Sequence, residues 1–255
     1  MTVKELGVSF TEKLGLTNLP IGMLYSDNVP TNAIAFKSKG NGCILPLIYK
    51  SAKGKTVSID RDTTGWNCSA FYLGYQDWIF EGIECFLSDG VVNGREGERF
   101  IKTSNQAKSF VEYYKPETLN DKVTIFKPLS DFEKNETPEI VIFFVNPDEL
   151  SALVYLLHFN APEKDDRVVT RFISGCGSIV TLPLKLKKEG KKQAVWGMHD
   201  ISVRKRLPKE LMTLTMPYEL LLEINNDIDQ SFIITDSWKA IKERNEEKNT
   251  SQIKD

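Results

Sequence analysis

RFISGCGSIVTLPLK (residues 171–185) is the stretch that decides the predicted fold, because one kind of secondary structure ends in it and another begins. A β-branched, extended run stops at Gly-Cys-Gly-Ser, and a helical pattern with a proline in its first turns follows at once. An earlier stretch, KGNGCILPLIYKSAKGK (residues 39–55), has the same order. Each stretch therefore predicts a strand, a glycine turn that carries a cysteine, and a helix.

The sequence around these two stretches also repeats. In each half, strands lead into a Gly-Cys turn, a Leu-Pro-Leu helix and a further strand that ends in aspartate. The matching residues are Gly42-Cys43 and Asp60 in the first half, and Gly175-Cys176 and Asp200 in the second. We infer a diverged internal duplication over about residues 16–120 and 121–240, which would bring both Gly-Cys turns together at a pseudo-two-fold axis.

The alternation of strands and helices predicts an α/β or α+β fold, with a mixed sheet or sheets and helices on the faces. Strands are expected over residues 33–38 and 167–174, and a buried strand over 139–145 is expected to lead through the break Asn146-Pro147-Asp148 into a helix. A chain of 255 residues can bury a sizeable core, so we expect one globular unit made of the two halves. Residues 241–255 are highly charged and are expected to form a C-terminal tail.

The overall composition limits the possible partners. Apolar residues make up 41% of the chain, charged residues 27%, and the formal net charge is -2. General nucleic-acid binding needs a basic footprint, which is absent from this composition. No apolar run approaches the roughly 18 residues of a membrane span, and the first residues lack the apolar core of a signal peptide. The sequence thus predicts a cytoplasmic protein with neither nucleic-acid nor membrane partners, and leaves a homo-oligomer open.

Three of the four cysteines lie in settings that suggest chemistry. Cys43 and Cys176 follow a glycine at a predicted helix N-terminus, where unpaired N–H groups and the helix dipole would lower a thiol pKa. Cys68 lies in the turn GWNCSAF, whereas Cys85 has apolar neighbours and is predicted to be a core residue. The leading hypothesis is that Cys43, Cys68 and Cys176 hold an iron–sulfur cluster or another thiolate-bound metal. Such a site would carry out redox or Lewis-acid chemistry on a small anionic molecule, although no CxxC pair supports it.

Two other interpretations stay open, and with them the question of whether the protein is an enzyme. One cysteine could be a catalytic nucleophile with His199 as its base; His158 is interpreted as a core or boundary residue. Alternatively, the turns could bind an anion without chemistry, assisted by bidentate arginines. The residues predicted for that anion site are Gly42, Gly175, Gly177, Ser178, Arg99 and Arg204. The aromatic residues expected to pack, or to line a pocket, are Trp66, Phe71, Tyr72, Tyr75 and Trp78.

Several segments resemble one prokaryotic family over about residues 10–240. They are KGKTVSIDRDTTGWNCSAFYLG, GERFIKT, VIFFVNPDELSALVYL, GCGSIVTLPL and DISVRKRLPKELMTLTMPYELLLEI. The chain is identified by them as a member of domain-of-unknown-function family 169. The resemblance implies cysteines at the positions of Cys43, Cys68 and Cys176 and an aromatic residue at that of Cys85. The family often has Cys-Pro-Gly-Gly where this chain has NCSAF, so the glycines that would leave room for a ligand beside Cys68 are replaced here.

Overall fold

A computed structural model describes residues 1–36, 43–64, 68–92, 94–119, 122–161 and 166–252. Ten strands lie in this part of the chain, eight of them in one mixed sheet. They are β1 (Ile21–Ser26), β2 (Ile34–Ala35), β3 (Val57–Ile59), β4 (Val91–Val92), β5 (Arg95–Glu96), β6 (Val123–Pro128), β7 (Ile140–Val145), β8 (Val168–Val169), β9 (Ala194–Gly197) and β10 (Met212–Pro217). The large sheet confirms the predicted mixed α/β fold, and β4 and β5 form a separate small ribbon.

The order of strands in the large sheet is symmetric about its centre. It reads β2-β3-β6-β1-β7-β10-β9-β8, with β1 and β7 antiparallel in the middle and a parallel pair at each edge. The register agrees as well, because Ile21 of β1 lies opposite Pro128 of β6, and Ile140 of β7 lies opposite Pro217 of β10. Strand β6 thus lies on the same side of the sheet as β1, whereas the boundary predicted at residues 120 and 121 places it in the second half. This is the arrangement that two related halves would produce, and the duplication itself stays a prediction.

Eleven α-helices lie in the described part of the chain and cover both faces of the sheet. They are α1 (Val3–Leu14), α2 (Leu45–Ser51), α3 (Arg61–Thr64), α4 (Cys68–Tyr72), α5 (Ile83–Leu87), α6 (Ser104–Tyr113), α7 (Pro147–Phe159), α8 (Leu182–Lys188), α9 (Ile201–Arg204), α10 (Tyr218–Asp227) and α11 (Asp236–Gln252). A π-helical turn (Gly177–Thr181) leads into α8, and short 3-10 turns follow β6 and α10.

The central strand β7 shows why helices must pack against both faces of the sheet. Side chains alternate along a strand, and here both sets are apolar and buried. Ile140, Ile142 and Phe144 join one core cluster, which includes residues of α2, α4 and α8. Val141, Phe143 and Val145 join the other, which includes residues of α1, α7 and α10. The protein therefore has a sheet between two helical layers, and the cysteines predicted to form a site belong to the first layer.

Three boundaries differ from the prediction. The strand expected over 167–174 pairs only at β8, because the chain then leaves the sheet edge toward the Gly-Cys turn. The strand expected over 33–38 is paired at β2, and residues 37–42, including Gly42, lie outside the described residues. Helix α11 continues to residue 252, where a tail was expected from 241. Arg244 on this helix forms an ion pair of 2.5 Å with Asp148, and Asn245 is buried, so residues 244 and 245 pack against the protein.

None of the helices that the structure describes is both long enough and apolar enough to cross a membrane.

Candidate functional site

The structure brings together the three cysteines that were predicted to share a site. Cys43 lies just before α2, Cys68 is the first residue of α4, and Cys176 lies just before the π-helical turn. Their thiols are close enough that charge on one raises the pKa of another. They are not drawn tightly together: among the described residues, no group of three His, Cys, Asp or Glu side chains is arranged to hold a metal ion. The cysteines therefore form a loose cluster, which we call the thiol cluster.

The pKa values of these thiols are shifted opposite to the prediction. Burial raises the pKa of Cys43, raises that of Cys68 to about 11, and raises that of Cys176 well above its usual range. The negative charge of Asp200 adds to the shift at all three sulfurs. Desolvation therefore outweighs any help from the helix ends, and the three thiols are protonated at neutral pH.

The N–H groups of Gly175 and Gly177, which precede the helix of the second half, already have hydrogen-bond partners within the protein. Asp200 Oδ2 accepts a hydrogen bond from the Gly175 N–H at 2.9 Å, and Ser174 Oγ accepts one from the Gly177 N–H at 3.0 Å. The Ser178 hydroxyl donates to the Gly175 carbonyl at 2.8 Å. The Gly175 and Gly177 N–H groups and the Ser178 hydroxyl therefore already have partners within the protein. These bonds do not favour an anion here, and the anion site stays a prediction.

The two glycines serve close packing. A Cβ atom on Gly175 would lie 2.5 Å from Leu45 Cδ1, and one on Gly177 would lie 2.5 Å from side-chain atoms of Ile173. Such distances are far below van der Waals contact, so only glycine fits at these positions without a shift of its neighbours. Because Leu45 opens the Leu-Pro-Leu helix of the first half, the contact at Gly175 joins the two related turns.

Asp200 organises this part of the cluster. Besides the Gly175 N–H, its carboxylate accepts hydrogen bonds from the Ser202 N–H at 3.0 Å and the Ser202 hydroxyl at 2.6 Å. It therefore caps α9 and holds the end of β9 against the Gly-Cys turn. Met198, just before it, is fully buried with φ of 71°, in the left-handed region that non-glycine residues rarely adopt. That strained turn leads the chain from β9 to Asp200.

The two arginines predicted to clamp an anion do not form a clamp. The Arg204 guanidinium donates to the carbonyls of Leu211 at 2.5 Å and Lys209 at 2.6 Å, so it holds its own loop. Arg99 is exposed and is not among the residues that line the cavity described below. A different arginine, Arg206, carries the positive charge that acts on a thiol, since it lowers the pKa of Cys43 against the effect of burial.

A cavity of about 220 Å³ adjoins the thiol cluster. It lies between the long insertion that separates β3 from β6 and two short segments of the second half. Its walls are mainly apolar, and its polar groups are the side chains of Cys68, Tyr72, Ser174, Glu98, His199, Asp200 and Ser202. The apolar lining consists of Ile79, Phe80, Ile83, Phe86, Leu87, Phe100, Ile101, Phe110, Phe172, Ile173 and Ile201.

The thiol cluster and the cavity meet at Cys68. Cys68 keeps solvent-accessible surface and lines the cavity, although the atoms packed around it desolvate its sulfur enough to raise the thiol pKa. Cys176, in contrast, is buried. The buried Ser69 side chain lies near both thiols and lowers the pKa of Cys68 and of Cys176 against the effect of burial. Tyr72, one turn further along α4, also lines the cavity, and the nearby Ser174 side chain lowers its pKa against the effect of burial.

The predicted aromatic residues divide between core and site. Phe71 and Tyr75 are buried in the core, Tyr72 lines the cavity, and Trp78 is 46% exposed. Trp66 lies outside the described residues. The phenylalanines that line the cavity were missed, because they are scattered along the chain from 80 to 172 and share no local pattern.

Only one of the two histidines is near the site. His199 lines the cavity, and its Nε2 lies 2.9 Å from the Thr170 hydroxyl. His158 lies on α7, in the other helical layer, where its Nδ1 is 2.9 Å from the Val154 carbonyl oxygen.

Replacing Asp200 with asparagine is expected to make Cys68 more reactive. Loss of the negative charge favours the thiolate, so the pKa of Cys68 should fall below about 11 and its alkylation by iodoacetamide at pH 8 should become several-fold faster. Alkylation rates of the Cys68 peptide, followed by mass spectrometry, measure the effect. Asp60→Asn is the matched control, because Asp60 caps α3 through the Thr63 N–H at 2.8 Å. Equal rates in both variants would contradict a charge effect of Asp200 on the thiol.

The fold and the site together define a class: a mixed-sheet α/β protein with a cluster of three thiols beside a mainly apolar cavity. The chain belongs to domain-of-unknown-function family 169, described as "Uncharacterised ArCR", whose profile matches residues 9–227. The comparisons with curated proteins and with solved structures give no match.

Proposed function

We propose that Cys43, Cys68 and Cys176 bind a thiophilic metal ion or an iron–sulfur cluster, and that the site carries out redox or Lewis-acid chemistry on a small molecule held in the cavity. The observation that carries this proposal is the convergence of three thiols from three separate elements at one end of a cavity. The fold brings these three residues, which are far apart in sequence, close to one another. A cysteine with a purely structural role does not require other thiols nearby.

The electrostatics of the thiol cluster favour a positively charged occupant. The thiols oppose one another's ionisation, and Asp200 opposes it further. A bound cation would offset these repulsions, and the three thiols would release their protons on binding. Because the sulfurs are loosely placed, binding must also draw them together.

The chain's own residues would hold and shape such a site. A metal held by three thiolates keeps a coordination position open, which supplies redox or Lewis-acid chemistry. Asp200 and Ser174 fix the turn that carries Cys176, through the N–H groups of Gly175 and Gly177. The walls of the cavity are rich in phenylalanine, and Cys68 connects the thiol cluster to the cavity.

A cysteine nucleophile is the second candidate, because Cys68 and His199 line the same cavity. Two features oppose it. The pKa of Cys68 is raised to about 11, which leaves little thiolate at neutral pH, and the Nε2 of His199 is hydrogen-bonded to Thr170. We therefore place this candidate second to metal binding.

Metal and sulfide analysis of anaerobically purified protein tests the proposal. We expect at least about one metal ion per chain, because a site of this kind needs at least one ion. If the occupant is an iron–sulfur cluster, the protein should also be brown and contain acid-labile sulfide. Folded protein that is colourless, contains no metal and does not take up added Fe²⁺ or Zn²⁺ under reducing conditions would overturn it.

A further inference from the structure

We infer that the cavity takes a planar molecule of one or two rings, whose polar end donates hydrogen bonds and carries no negative charge. The role of this molecule as the substrate of the metal site rests on the proposed function. Its binding to the cavity is independent of that function. The inference uses the size, the lining and the charges of the cavity.

The size of the cavity suits a small ring system. A cavity of about 150 Å³ in a protein core holds benzene. The present cavity, of about 220 Å³, is larger by roughly the space of a second fused ring or a short polar substituent. A nucleotide or a peptide of several residues would not fit within it.

The walls suit a flat, apolar surface. Phe80 and Phe86 stack edge to face, with ring centroids 5.6 Å apart, and Phe110 and Phe172 have centroids 5.3 Å apart. All four line the cavity, together with isoleucines from several elements. Aromatic rings attract other rings through edge-to-face or offset contacts, and apolar walls gain free energy by covering an apolar ligand.

The polar lining argues against an anion. Glu98 and Asp200 both contribute carboxylates, and no lysine or arginine is present among the described residues that line the cavity. The remaining polar groups are hydroxyls, a thiol and the imidazole of His199, and several of these can accept a hydrogen bond. In the metal-free protein a negatively charged end would face two carboxylates, with no lysine or arginine among the described lining residues to pair with it. The metal-free cavity therefore disfavours the anionic molecule expected from the sequence.

A matched pair of probes tests the inference: 2-naphthylmethylamine, which is cationic, and 2-naphthoate, which has the same ring and is anionic. Binding is measured by saturation-transfer NMR and calorimetry, on metal-free, reduced protein. We expect the amine to bind at least about tenfold more tightly than the carboxylate, a difference of about 1.4 kcal/mol. Equal or tighter binding of the carboxylate, or no binding of the amine at millimolar concentration, would overturn the inference.

Two variants connect the binding to the cavity. Ile83→Trp fills the cavity and should weaken binding of the amine at least about tenfold. Leu222→Trp is its control, because Leu222 is partly exposed on α10, in the other helical layer. Glu98→Gln should reduce the ratio between the affinities for the amine and for the carboxylate probe, because it removes one of the two carboxylates in the cavity. An unchanged affinity in a folded Ile83→Trp variant would show that the amine binds elsewhere.

The two proposals fail separately in these experiments. If metal-free protein binds the amine but the thiol cluster binds no metal, the inferred cavity ligand is supported and the proposed metal chemistry is refuted. If metal binds at the three cysteines and the amine does not bind, the metal site stands and the ligand class is wrong.

Discussion

Replacing Cys176 with serine is expected to lower the affinity for a thiophilic metal ion by at least about 100-fold. Cys176 is the most deeply buried of the three thiols, only 4% exposed, and its charge interacts with those of Cys43 and Cys68. A serine hydroxyl is nearly the same size but is a poor ligand for soft metals, so the variant should fold and still lose the site. Competition with a chromogenic chelator under reducing conditions measures the affinity for Zn²⁺.

The fourth cysteine supplies the control for this variant. Cys85 lies on α5 and is not among the residues that line the cavity. Cys85→Ser should therefore bind Zn²⁺ as the unchanged protein does, whereas Cys43→Ser and Cys68→Ser should resemble Cys176→Ser. The proposal fails if Cys176→Ser and Cys85→Ser bind Zn²⁺ with the same affinity.

Replacing Tyr75 with phenylalanine is expected to lower the free energy of unfolding by about 2–4 kcal/mol. The Tyr75 hydroxyl is buried and lies 2.7 Å from both the Ile59 carbonyl oxygen and the Thr124 hydroxyl, and it accepts the Thr124 N–H at 3.0 Å. Phenylalanine would leave a strand carbonyl and a strand N–H buried without this partner. Because Tyr75 follows α4, its loss should also loosen the segment that carries Cys68.

Urea unfolding at equilibrium measures this change, with Tyr155→Phe as the matched control. Tyr155 is 70% exposed on α7, so removing its hydroxyl should change the free energy by less than about 0.5 kcal/mol. A loss of less than about 1 kcal/mol in Tyr75→Phe would mean that water replaces the hydroxyl in this network.

Much of the local structure could be predicted from short sequence patterns. The helix starting at Pro147 was expected from the Asn-Pro-Asp break, and the structure shows Asn146 accepting hydrogen bonds from the N–H groups of Asp148 and Glu149. The apolar run of β7 was expected to be a buried strand, and it lies at the centre of the sheet. Such features depend on neighbours within a few residues, which the sequence displays directly.

The candidate site was only partly predictable. The sequence indicated which three cysteines to consider, from their turns and from the family resemblance. It did not indicate the cavity, because the lining phenylalanines come from elements that meet only after folding. It assigned Gly175 and Gly177 to a ligand, whereas the packing against Leu45 and Ile173 explains them.

The sequence by itself determined the mixed α/β fold and the setting of each cysteine, since periodicity, turns and caps are local properties of the chain. Only the tertiary structure decided the state of the thiols and the charge of the cavity. The pKa of Cys176 depends on burial and on Cys43, Cys68 and Asp200, which come from other parts of the chain. A pattern of neighbours along the chain contains no measure of such burial or distance, so it predicted lowered thiol pKa values where folding raised them.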